Sequence, residues 1–128
     1  MRAGDQDETI GFLSRPQAYP AGAGEVRRVE THISVVFLAG DRAYKLKRAV
    51  KLPYLDFTTP EQRRAACLAE VEVNRRTAPG IYLGVVALTR GADGSLKLGG
   101  AGETVDWLVE MVRFDEDTLF DRLAVKGA

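Results

Sequence analysis

The sequence predicts an α+β domain, an antiparallel sheet of about five strands with one main helix packed on it. Three observations carry this. Apolar runs with a period of two flank the turn Ala39-Gly40-Asp41, a capped helical stretch begins at Pro60, and two later apolar runs, Ile81 to Leu88 and Val105 to Arg113, have strand length and composition. A chain of 128 residues is long enough for one core and short for two. Lys+Arg and Asp+Glu both number 18, which gives no global electrostatic reason to expect nucleic acid or a membrane surface as a partner.

Taken in order, the chain opens with a short helix at about Gln6 to Ser14, tethered to the first strand by a loop from Pro16 to Glu25. In the first arm of the hairpin Val29, Thr31, Ile33, Val35 and Phe37 share one parity and Glu30, His32, Ser34, Val36 and Leu38 the other. This is a pleated strand with one face more buried. In the second arm Ala43, Lys45 and Lys47 share a face, with Tyr44 and Leu46 opposite. Lysine at a sheet edge discourages edge-to-edge pairing, so solvation is the competing explanation for these two.

Thr59 is the expected cap of the main helix, with Pro60 at the first helical position and Gln62 completing a capping box. The helix is expected to end near Thr77, before Pro79-Gly80. On a wheel of about 100° per residue, Glu61, Arg64, Glu72, Arg75 and Arg76 form a solvated arc. The opposite arc holds Ala66, Cys67, Ala69, Val71, Val73 and Ala78, with Glu70 near its middle. Burying an unpaired carboxylate costs more than such a helix can offset, so Glu70 requires a partner. The lysine strand offers Lys45 and Lys47, about 6.6 Å apart along one face. The spacing alone leaves both lysines as candidates, and the preference for Lys45 comes from the resemblance described below, in which Ala43 takes a small-residue position two before it. The alternative is a rotated helix that leaves Glu70 at the solvent boundary.

Beyond Leu88, RGADGSLKLGGAGE reads as a hairpin excursion with a turn at Asp93-Gly94 and a short strand from Ser95 to Leu98. Gly99-Gly100-Ala101-Gly102 is not a phosphate loop, because no Gly-Lys-Ser/Thr follows it. Arg63-Arg64 and Arg75-Arg76 read as solvated helix surface. A last helix is expected from about Asp117, with Leu119, Phe120, Leu123 and Ala124 on an apolar stripe. One histidine and one cysteine fall short of the four N or S ligands of a usual zinc site, and nothing in the spacing makes His32 the base of a nucleophilic triad. Cys67 reads as core packing in a reducing compartment. No apolar run has the length to span a bilayer, and no signal-peptide pattern opens the chain. The expected location is the cytoplasm.

A strand lysine paired with a glutamate from the next helix is how protein-kinase-like folds hold the α- and β-phosphates of ATP. Ala43-Tyr44-Lys45 resembles the Ala-Ile-Lys part of the kinase strand motif. The order hairpin, lysine strand, helix with a central Glu, two strands and a short helix resembles a kinase N-lobe, hinge and first C-lobe helix. The stretch from Glu30 to Val86, together with Ile10 to Pro20, resembles the amino-terminal part of bacterial aminoglycoside phosphotransferase-like proteins, a group in which this domain is often followed by a P-loop ATP-binding domain.

The resemblance implies residues 1–25 as N-terminal helix and loop, 26–114 as sheet, helix and hinge, and 115–128 as the start of a C-lobe helix. It implies Lys45 as the phosphate lysine, with Lys47 its rival for the role, and Glu70 as the helix partner. Ala43 would leave room for adenine, and the backbone around Glu110, Met111 and Val112 would be the adenine hinge. Thr31, His32 and Ser34 would lie in the turn over the phosphates, where N–H groups and hydroxyls meet anionic oxygens.

The turn departs from the kinase pattern in lacking Gly-x-Gly-x-x-Gly, and no His-x-Asp-x-x-x-x-Asn or later Asp motif follows the hinge. The expectation is therefore a fragment, inactive by itself, of an enzyme that transfers the γ-phosphoryl group of ATP to a small-molecule hydroxyl. Mg²⁺ would bind only in the full-length protein, and the partners would be a nucleotide and the missing C-lobe. In that fragment Met111, Phe114, Leu119, Phe120 and Leu123 would form an exposed patch. The alternative is a non-catalytic module that binds a nucleotide or a protein.

Overall fold

The computed structural model describes residues 6–19, 25–78 and 80–113. Helix α1 spans Asp7–Leu13 and is followed by a 3-10 turn at Pro16–Ala18. Strands β1 (Val26–Glu30), β2 (Ser34–Ala39) and β3 (Arg42–Lys47) form a meander, and β4 (Lys51–Leu52) and β5 (Leu55–Asp56) form a small separate hairpin. Helix α2 (Pro60–Thr77) leads to β6 (Tyr82–Arg90), β7 (Leu96–Leu98) and β8 (Glu103–Val112). The fold is α+β, with an antiparallel six-stranded sheet in the order β1-β2-β3-β8-β6-β7 and one main helix. The expected last helix, and with it Phe114, Leu119, Phe120, Leu123 and Ala124, lies outside the described residues. Met111, the one described member of that expected patch, is fully buried. No helix among the described residues is long and apolar enough to cross a membrane.

The long first arm of the expected hairpin is two strands. Thr31 breaks it: its N–H and hydroxyl both donate to the Ser34 carbonyl, while its Oγ1 accepts from the Ser34 N–H at 3.1 Å. The next turn is the two-residue Gly40-Asp41, where Gly40 takes a left-handed φ of 59°. Strand β2 is buried on both faces, not mainly on one. Val35 and Phe37 join Tyr44, Leu46 and Leu108 in a core under α1 and Tyr19, while Val36 and Leu38 join Ala43, Cys67, Val71 and Val109 in a core under α2. Cover on both sides explains why Val35 to Ala39 is a continuous apolar run and not an alternation.

Helix α2 starts as expected, with the Thr59 hydroxyl accepting from the Gln62 N–H and Gln62 Oε1 accepting from the Thr59 N–H. Its buried face is rotated from the expected one. Arg63, Cys67 and Val71 are its buried residues, while Val73 is 61% exposed and Ala69 lies in solvent. Arg63 is the largest correction: expected at the surface, it is fully buried, with Nε 2.8 Å from Asp106 Oδ1 and Nη1 donating to the Phe57 carbonyl at 2.7 Å. Asp106 Oδ2 accepts from Gln6 Nε2, and the Gln6 amide also donates to the Lys47 carbonyl and accepts from the Ala49 N–H. The β3–β8 pairing ends at Leu46↔Leu108, so no β3 residue stands opposite Asp106. That gap lets Gln6 and Arg63 reach the carboxylate. Arg75 is exposed, yet it ties the end of α2 to the Tyr82 and Leu83 carbonyls.

Candidate functional site

The alternation of β3 puts Lys45 and Lys47 on the face that α2 covers, and the 3.6-residue turn of α2 brings Glu70 over them. Glu70 takes both ammonium groups: Lys47 Nζ lies 2.5 Å from Oε1 and Lys45 Nζ 3.1 Å from Oε2. The sequence choice of Lys45 over Lys47 thus resolves into a shared carboxylate. The two lysines differ in exposure, with the Lys45 side chain at 19% and the Lys47 side chain at 7%. The Lys47 ammonium also stands 5.5 Å from the centre of the Phe57 ring. Burial alone would raise the Glu70 pKa, but the two ammoniums outweigh it and hold the carboxyl below its ordinary value.

Ser34 is paired with Lys47 across the β2–β3 ladder, and Val36 with Lys45, so the Ser34 side chain shares their face. Its hydroxyl is buried and has no hydrogen-bond partner among the described residues. Cys67 is buried close by, and burial pushes its thiol up to about 11, which keeps it protonated and unreactive at neutral pH. Thr31 and His32 are exposed in the β1–β2 turn.

The residues expected on the adenine side, Ala43 and 110–112, lie in β3 and at the end of β8. Ala43 is fully buried within the core under α2. Glu110 and Met111 belong to β8 and pair with β3 on one side and β6 on the other; Val112 pairs with Arg42, and its N–H donates to the Ile81 carbonyl. The residues expected as a hinge thus lie in the last paired positions of β8. The Glu110 side chain points to the other face, where the Tyr44 hydroxyl and Arg42 approach it. A cleft of about 460 Å³ lies there, lined by Phe12, Tyr19, Tyr44, Val86, Leu96 and Glu110 among others, remote from the lysines. Arg63, Asp106 and Gln6, none of them expected at a site, form the polar support at the end of β3. An acidic residue inside the otherwise apolar run Val105 to Val109 was the available signal.

A segment of 60 residues, 47% of this chain, is 52% identical to uncharacterized proteins of Mycobacterium tuberculosis and Mycobacterium bovis. It spans 12% of the length of each of them. No family model and no solved structure matches the chain. The chemical reading therefore rests on the geometry of β2, β3 and α2.

Proposed function

We propose that this chain is the ATP-binding lobe of an aminoglycoside phosphotransferase-like kinase, with a protein-kinase-like N-lobe fold. The observation that carries the reading is the Glu70 carboxylate shared by Lys45 and Lys47, a strand-to-helix ion pair of the kind that orients a phosphate-binding lysine. The residues suit phosphate. Lys45 would hold a phosphate oxygen, and Ser34, at the start of β2, carries a hydroxyl without a partner among the described residues. ATP would supply the γ-phosphoryl group for a small-molecule hydroxyl. The catalytic Asp and the Mg²⁺ ligands would belong to other parts of a longer protein, and a reducing cytoplasmic setting suits the free Cys67 thiol.

Titration calorimetry with ATP tests the proposal. The 128-residue chain is expected to bind ATP weakly, with Lys45→Met abolishing the heat, and to show no turnover. ATP hydrolysis by this chain, lost in Lys45→Met, would overturn its assignment as a lobe without catalytic machinery. A second reading, a non-catalytic module that binds phosphate groups, draws support from the closed ladders at Glu110 and Met111, which offer adenine no backbone partner there. Equal affinity for ATP and inorganic tripolyphosphate is its expected signature.

A further inference from the structure

Two ammonium groups share one carboxylate, and the surplus positive charge is held in a largely buried place. Such a surplus is costly unless a counter-charge is near. The two lysines are not equivalent. Lys47 has the shorter contact to Glu70, the lower exposure, the Phe57 ring beside its ammonium, and a backbone carbonyl clasped by Gln6. Lys45 has the longer contact and the more open side chain.

We propose that Lys47 is the permanent partner of Glu70 and acts as a positioning residue, leaving Lys45 to exchange the carboxylate for a ligand oxyanion. The inference deepens the nucleotide reading and rests on it for the class of ligand, a phosphate or polyphosphate oxygen. With Lys47 in place, Glu70 keeps a charge partner when Lys45 turns away, so releasing Lys45 does not strand a buried carboxylate. Without Lys47, Glu70 has Lys45 alone, the cluster becomes a neutral pair, and Lys45 is held. The hydroxyl of Ser34 is buried on the same face without a partner among the described residues, and an oxyanion oxygen would supply one. Lys47 thus supports anion binding without touching the anion.

The test is calorimetric titration of the 128-residue chain and its variants with inorganic tripolyphosphate and, separately, ATP. Lys45→Met is expected to weaken tripolyphosphate binding by about tenfold or more, as loss of a charge-assisted contact does, and Lys47→Met by a similar factor because Glu70 then holds Lys45. The double variant Lys47→Met/Glu70→Gln is expected to return to within about threefold of the parent, because Lys45 again has no carboxylate to hold it. A residue that merely stabilises the fold would not give this recovery. Lys47→Arg, which keeps the ion pair and preserves folding if methionine does not, is expected to retain affinity. Parent-like affinity in a folded Lys47→Met, no recovery in the folded double variant, or a tenfold loss in a folded Lys47→Arg overturns the inference. If ATP binding persists through those outcomes, the nucleotide reading stands alone. If tripolyphosphate follows the expected pattern while ATP binds no better, the inference stands and the nucleotide reading falls; if neither ligand binds the parent, both fall.

Discussion

Replacing Arg63 with methionine removes a guanidinium that is fully buried and leaves Asp106, 1% exposed, without its ion-pair partner. The carboxylate keeps the Gln6 amide and the Trp107 N–H, whereas the Phe57 carbonyl loses the 2.7 Å bond from Arg63. Stripping one partner from a buried pair costs about 3–5 kcal/mol, a large share of the roughly 5–15 kcal/mol that holds a domain together. With a urea slope of about 1.5 kcal/mol/M, the unfolding midpoint is expected to fall by about 2–3 M. The assay is urea unfolding followed by the fluorescence of Trp107, the sole tryptophan, which sits next to Asp106 in sequence. The double change Arg63→Met/Asp106→Leu is expected to recover most of the loss, since an apolar pair of similar volume replaces a buried ion pair at little cost. Gln6 would still have the Lys47 carbonyl as an acceptor. A shift in Arg63→Met below about 0.5 M, equivalent to less than about 1 kcal/mol, or a double variant no more stable than the single one, would show that Asp106 does not depend on Arg63.

Glu70→Gln is expected to remove a pH-dependent stabilisation. The native pKa lies below the ordinary 4.5, so the contribution is complete above about pH 4.5 and fades as pH falls through the lowered native value. Urea midpoints of parent and variant should therefore differ at pH 7 and converge in acid, and a constant gap would count against the ion-pair account. Thr59→Ala is expected to destabilise the domain by about 1 kcal/mol, read in the same unfolding assay, through loss of the capping hydroxyl of α2. Gly102→Ala would drive a methyl into the Arg90 carbonyl at the start of the β6–β8 pairing. Faster amide exchange confined to the Arg90–Glu103 end of that ladder is expected, and unchanged exchange there would show that the backbone adjusts freely.

The capping box and the lysine-bearing strand were legible because each depends on neighbours a few residues apart: Thr59, Pro60 and Gln62 for the cap, Lys45 and Lys47 for the common face. Glu70 was legible from its place among apolar helix positions. The phase of α2 was less so, since Ala65, Ala66 and Ala69 weigh little on a helical wheel. What turns the helix is Arg63, and its reason for being inside is Asp106, 43 residues away. An arginine beside another arginine reads as surface until the partner across the fold is known. The turn at Thr31 was hidden from the periodicity for a similar reason, as Val29 to Phe37 keeps strand alternation while a side chain-to-backbone bond reverses the chain; only the family resemblance placed Thr31, His32 and Ser34 in a turn.

Strand β8 enters the sheet between β3 and β6 although it is the last of the eight strands among the described residues to be made. While a ribosome is still adding residues 103–112, the β1–β3 meander and the segment holding α2, β6 and β7 have no strand to join them. Each then presents an open edge, at β3 and at β6, with backbone groups available to any passing strand. Pairing of β8 closes both edges at once, and the bond from Gln6 to Asp106, like that from Arg63, can be completed only then. The domain should consequently acquire its stability late in synthesis and in a single step, with nascent chains that stop short of residue 103 the form most in need of a chaperone.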